Sequence, residues 1–183
     1  MTQAAAAAFL MLVLLFGGPW VTVQSTGAPE PQPARTAQEQ TDAPGADESS
    51  VLRVWNGTET VEMTMAAYLP GVVRGEMPAT FEEEALKAQA VAERTYIYYH
   101  LQRGGKANHP DADVCMDHTC CNAWTGAEQA AQKWGEQAEA YEAKIQEAVR
   151  ATDGQVMLYN GQLILAAFHS SSDGVTASCR DVW

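Results

Sequence analysis

Glu76 is the residue of this chain whose setting best suits proton transfer. It stands between Gly75 and Met77-Pro78, just past the short apolar run from Leu69 to Val73. Burial disfavours the charged form of a carboxyl group, so an acid beside apolar surroundings keeps its proton to higher pH. Such a group can protonate a poor leaving oxygen and then accept a proton back. A Glu at a helix end facing solvent is the plain alternative. Glu82, Glu83 and Glu84 read differently, since they open a helix, where carboxylates offset exposed N–H groups.

A second set of chemically able residues lies further on. His109, Cys115 and Cys121 recur at six-residue intervals, with Cys120 adjacent and His118 between. Imidazole and thiolate are the ligands that zinc takes in tetrahedral sites. A disulfide from Cys115 to Cys120 or Cys121 is the competing reading, which an exported domain permits. His118 also reads as an ordinary loop residue. Cys179 stands apart, either as a buried thiol or as the partner of a cysteine beyond this chain. Arg94 shares a helical face with Ala90, Val91 and Ile97. An unpaired charge on an apolar face is costly, so Arg94 is expected to contact Glu76, with a surface ion pair to Glu93 or nearby acids as the alternative. The run Phe168-His169-Ser170-Ser171-Ser172-Asp173-Gly174 follows a strand pattern. Its hydroxyls suit hydrogen bonds to sugar groups, and a polar turn would also account for it. The chain has no G-x-S-x-G elbow, which argues against a Ser-His hydrolase.

The elements that must position these groups can be read from pattern. VLRVW and TVEM alternate around Asn56-Gly57, predicting a hairpin. Thr64 opens a helical pattern, MAAYL, interrupted at Pro70, which begins a new turn through Glu76. Thr80 and Glu83 form a capping-box pattern ahead of a helix over 81–102, ended by Gly104-Gly105. Residues 106–125 are a loop, and a second helix is expected over 127–151, stopped at Asp153-Gly154. QVMLY-NG-QLILAAF predicts a hairpin around a type I′ turn. The fold class expected is α+β, a single catalytic domain of helices packed with short antiparallel hairpins. Two helices and two hairpins leave sheet edges unpaired, so the domain at 51–183 is expected to be incomplete at its C-terminal side.

Before that domain the composition changes twice. Residues 4–23 carry no charge and are nearly all apolar, roughly the length that crosses a bilayer core. No Lys or Arg precedes Arg35, whereas a signal peptide needs a basic start. The segment therefore reads as a transmembrane anchor, with a cleaved signal peptide as the alternative. The resulting expectation is a single-pass cell-membrane protein whose catalytic domain is extracytoplasmic. Residues 24–50 contain no Leu, Ile, Val or aromatic residue and read as a disordered tether. The net charge of −12 argues against nucleic acid as a partner, which requires a basic surface.

Four blocks, AYLPGVVRGEMPATF, EALKAQAVAERTY, HPDADVCMDHTCCNAW and YNGQLILAAFHSSSDGVT, resemble the SpoIID/LytB family, which includes sporulation lytic transglycosylases and amidase modifiers. The resemblance implies cleavage of the β-1,4 bond between N-acetylmuramic acid and N-acetylglucosamine in peptidoglycan glycan strands stripped of stem peptides, leaving 1,6-anhydro ends. It places the family's catalytic Glu at Glu76, in the EMP motif. Arg94, Gln89, Tyr96, His169, Ser171 and Ser172 are then substrate-binding or site-supporting candidates, with the glycan a further possible partner of Arg94. Some relatives bind zinc in this loop through a set matched by His109, Cys115 and Cys121, with Cys120 or an open water position as the fourth ligand. The implied partners are the glycan strands, a cell-wall amidase and other engulfment proteins. Asn122 departs from the family, which usually has Gln there.

Overall fold

The computed structural model describes residues 45–105, 108–109, 111–169, 171 and 173–178. The expected anchor at 4–23, the tether as far as residue 44, Ser172 and Cys179 lie outside the described residues. Among the described residues no helix is long and apolar enough to cross a membrane.

The described part is α+β. A short helix α1 (Ala46–Ser49) leads into β1 (Val51–Trp55) and β2 (Thr60–Thr64). These two strands pair antiparallel, with Val54 opposite Val61. The turn between them is set by Asn56, whose side-chain oxygen accepts from the N–H groups of Thr58 and Glu59. Alternation along β1 buries Leu52 and Val54 while Val51 and Arg53 stay exposed. One pairing was not expected. β3 (Val114–Cys115), inside the predicted loop, joins the other edge of β1 in parallel register, so the sheet order is β2-β1-β3. A two-residue strand carries no readable alternation, and this one is fixed from outside. Asp113 accepts from the Arg53 backbone N–H and guanidinium.

The two helices that follow the hairpin pack on each other, and the first also packs against β2. α2 (Met65–Glu76) starts at Thr64, whose hydroxyl accepts from the Ala67 N–H. Met65, Tyr68, Leu69, Val72 and Val73 make its buried stripe, the spacing of one helical face. The helix runs unbroken through Pro70, where the pattern had suggested an interruption. Burial of the stripe on both sides of Pro70 offsets the one backbone bond that proline cannot donate. α3 (Glu83–Leu101) begins at Glu82, and neither Thr80 nor Glu82 supplies a side-chain cap there, so the expected capping box does not form. Lys144 instead donates to the carbonyls of Ala79 and Phe81 ahead of the helix.

The second long helix divides. α4 (Ala127–Trp134) and α5 (Ala138–Arg150) are separated by a 3-10 turn over Gly135–Gln137. Gly135 has φ of +57°, a left-handed conformation that glycine adopts without strain and that an α-helix cannot contain. The final hairpin, β4 (Leu158–Tyr159) and β5 (Gln162–Leu163), forms as predicted, with Asn160 and Gly161 both at positive φ. The core joins β1, α2, α3, β3 and α5 through Leu52, Val54, Leu69, Leu86, Val114 and Ile145.

Candidate functional site

α2 ends at the candidate acid. Its last turns carry Gly71 and Gly75, one helical turn apart on one face. Along that face runs the strip from Asn122 to Thr125. The Thr125 N–H donates to the Gly71 carbonyl at 2.9 Å, and the Trp124 indole N–H donates to the Tyr68 carbonyl at 3.2 Å. A methyl group on Gly71 would overlap the Trp124 indole, and one on Gly75 would overlap the Ala123 carbonyl. Glycine is thus required at both places for the strip to lie against the helix. Arg74 closes the far side, donating to the Thr125 carbonyl and to Glu142. The half-buried Glu76 carboxylate accepts a 2.6 Å hydrogen bond from the Ala123 N–H. Its site is therefore built by a helix end and the strip that lies over it.

Arg94 does not meet Glu76. It is 0% exposed and turns to α1, where its Nε and Nη2 grip Asp47, the closest contact being 2.6 Å. Its remaining donors reach the carbonyls of Gln155 and Val149. The expected pairing with Glu76 is corrected, and the surface pairing with Glu93 does not form either. The same contacts correct the tether boundary. Residues 45–50 belong to the folded domain, since Asp47 is buried and Asp153 accepts from the N–H groups of Ala46 and Asp47. Asp47 sits in a Pro- and acid-rich stretch with no large apolar residue beside it, so no local pattern could reveal this.

A different carboxyl group approaches Glu76. Glu93 is 0% exposed on α3, where Leu86, Gln89, Ala90, Glu93, Arg94 and Ile97 form the inward stripe. Its Oε1 accepts from Gln89 at 2.7 Å, and its Oε2 accepts from the Asn122 side-chain amide. Burial, with a smaller contribution from the Glu76 charge, pushes its carboxyl up to about 8 against the opposing pull of Gln89. The sequence held the signal, since three and seven residues after Leu86 is the core-facing spacing. Gln89 supports the site through Glu93. Tyr96 is half-buried, with its ring edge-on to His100.

The stability of the fold should carry the mark of this proton. Folded Glu93 holds it to about pH 8, whereas an unfolded chain releases it near the ordinary value of about 4.3. Stability from this group is fully present below the unfolded value and is lost as pH rises toward 8. Glu93→Gln cannot titrate, so it should lose less stability than the wild type between about pH 5 and pH 8. Urea unfolding at both pH values checks this; parallel losses would put the proton elsewhere.

The loop residues also converge. His109, Cys115 and Cys120 bring one ligand atom each within 4.8 Å of one another, so among the described residues this group could hold a metal ion. Cys115 is placed by β3, and Cys120 by a turn in which the N–H groups of Cys120 and Cys121 both reach the Asp117 carbonyl. The His109 ring stacks on Trp55. Cys121 falls outside the three; its sulfur accepts from the Cys115 N–H at 3.3 Å. Cys115, Cys120 and Cys121 are all free thiols. His118 is exposed. The Tyr68 hydroxyl donates to the Cys115 carbonyl, joining this loop to α2. His169 and Ser171 lie on an exposed segment, where the His169 Nδ1 is 3.0 Å from the Ser171 carbonyl oxygen.

The family model described as "Stage II sporulation protein", SpoIID, matches residues 56–159, and this chain belongs to that family. It is similar to Stage II sporulation protein D of Bacillus subtilis (strain 168), with 37% identity over 116 residues, 63% of this chain and 34% of that protein. The Bacillus amyloliquefaciens protein of the same name is 36% identical over 117 residues, again 63% of this chain and 34% of the relative. The amidase enhancer of Bacillus subtilis (strain 168) is 37% identical over 115 residues, 63% of this chain and 13% of its own length. The chain spans about a third of the length of the sporulation relatives.

Proposed function

We propose that the protein is a lytic transglycosylase of peptidoglycan, held at the cell membrane by residues 4–23 with its catalytic domain outside the cytoplasm. The observation that carries this reading is the Glu76 carboxyl at the end of α2, held by the Ala123 N–H yet only half-buried. Protonated Glu76 donates to the glycosidic oxygen between N-acetylmuramic acid and N-acetylglucosamine as that bond breaks. The same carboxylate then accepts the proton of the sugar's own 6-hydroxyl as it closes on C1, giving the 1,6-anhydro end. One carboxyl group suffices because the nucleophile is tethered within the substrate, unlike hydrolysis by a carboxylate pair. The test is incubation of the full-length protein with glycan strands freed of stem peptides, read by mass spectrometry for anhydro ends. Reducing ends in their place would mean hydrolysis.

The donor set of the loop fits zinc, with an imidazole and two sulfurs grouped at half-buried and buried positions. His109, Cys115 and Cys120 would hold the ion, with Cys121 next to them. Zinc bound there would supply a fixed cross-link, tying β3 to the turn that leads into the Asn122–Thr125 strip. Protein purified under reducing conditions should carry about one zinc per chain, and Cys120→Ser should lower that content severalfold. A wild-type content near zero would remove zinc from the reading.

The similarity to an amidase enhancer favours a second reading, a glycan-binding module that recruits or stimulates a cell-wall amidase. Under that reading the protein raises amidase turnover on intact peptidoglycan while producing no anhydro ends.

A further inference from the structure

We propose that Glu93 is a positioning residue for Glu76, acting through Asn122 and the Ala123 N–H. The inference deepens the transglycosylase reading and rests on it where turnover is concerned.

The two carboxyl groups come from different helices and are tied by consecutive residues of one strip. Glu93 takes the Asn122 side chain, and the next peptide N–H, that of Ala123, goes to Glu76 at 2.6 Å. The Ala123 N–H lies in the peptide unit that starts at the Asn122 carbonyl, so fixing Asn122 sets the direction in which that N–H points. On the other side the strip is fixed by Trp124 and Thr125 on α2. The Asn122 side chain is the part of the strip that meets α3, and Glu93 is the group that takes it.

A carboxyl group suits this place because it has two oxygens. One takes Gln89 of its own helix and the other takes the strip. An apolar side chain would leave the Asn122 amide without that partner, which is costly for a half-buried polar group. The groups that face Glu93 are Glu76 and Tyr68 from α2, Gln89 from α3 and Asn122 from the strip. The cations beside these carboxyl groups in the sequence are turned elsewhere, Arg94 to Asp47 and Arg74 to Glu142. A neutral Glu93 can serve as the anchor without placing a second negative charge beside Glu76, and its raised affinity for a proton agrees with that.

The experiment compares Glu93→Ala, Glu93→Gln and Asn122→Ala in the full-length protein. Glu93→Ala and Asn122→Ala should each lower kcat about 10- to 100-fold with KM changed less than about twofold, as expected for a misplaced catalytic group. The double variant should lose no more than the worse single one, since both break one chain of contacts. Glu93→Gln keeps two polar atoms and should restore most of the rate. Two readouts do not depend on turnover. Exchange of the Ala123 amide proton should quicken about tenfold or more in Glu93→Ala, and the 13C resonance of the Glu76 carboxyl should move in Asn122→Ala. Asn122 lies on a half-buried strip outside the helices, so its variant keeps the test open if Glu93→Ala fails to fold. Both resonance measurements staying at wild-type values would overturn the inference. Movement of both in a protein that cleaves no glycan would support the positioning role and count against the transglycosylase reading alone.

Discussion

Glu76→Gln should abolish formation of 1,6-anhydro ends, with a fall in kcat of about 10²- to 10⁴-fold or more, the usual contribution of a general acid. The substitution isolates chemistry from structure. Glutamine has the same length and keeps an oxygen that can accept from the Ala123 N–H, so the strip over α2 should stay in place. What it loses is the transferable proton. Folding should therefore be nearly unchanged, with a Tm within a few degrees of the wild type. The measurement is product release from denuded glycan, followed by mass spectrometry beside thermal unfolding of the same sample. A variant with wild-type turnover would take Glu76 out of the reaction. A variant that still stimulates an amidase while cleaving nothing would separate the two proposed roles.

Arg94→Met should cost about 3–5 kcal/mol of stability, because it leaves the Asp47 carboxylate buried and unpaired. For a domain of this size that corresponds to a Tm lower by roughly 10 °C or more. The loss also frees the carbonyls of Val149 and Gln155, so α1, the end of α5 and the following turn should loosen together. Asp47→Leu in the same protein should recover part of the loss, since replacing a buried ion pair by apolar groups is often near neutral. Thermal or urea unfolding of both variants checks this. If Arg94 served substrate and not structure, Arg94→Met would instead keep its stability and lose KM or kcat alone.

These two residues sit 18 positions apart in one motif, and their fates differ for a physical reason. Glu76 ends its helix, so the sequence around it marks its position, although the N–H that holds its carboxylate comes from Ala123 on a distant strip. Gly71, Gly75 and the apolar stripe of α2 are all within one helix. Arg94 was legible as a buried charge, because helical spacing put it on an apolar face. Its partner was not legible, because Asp47 reaches it from the other end of the domain. Glu93 lies on the same stripe, where the sequence alone offers it as a surface partner for Arg94. Its partner Asn122 comes from 29 residues further along the chain.

The sequence by itself determined the elements whose signals are short-range. These are the β1–β2 hairpin, α2 and α3 near their expected limits, the type I′ turn at Asn160-Gly161, and the family shown by the match over residues 56–159. It also singled out Glu76 as a candidate acid, and it marked the loop whose His109, Cys115 and Cys120 converge. Tertiary structure alone decided the parallel pairing of β3, the Asp47–Arg94 lock and the tying of Glu93 to Glu76 through Asn122 and Ala123. Each of those is a polar contact between distant segments, and its geometry is set by how the helices pack. Periodicity reports which face of a helix is buried, but not which group will meet it there.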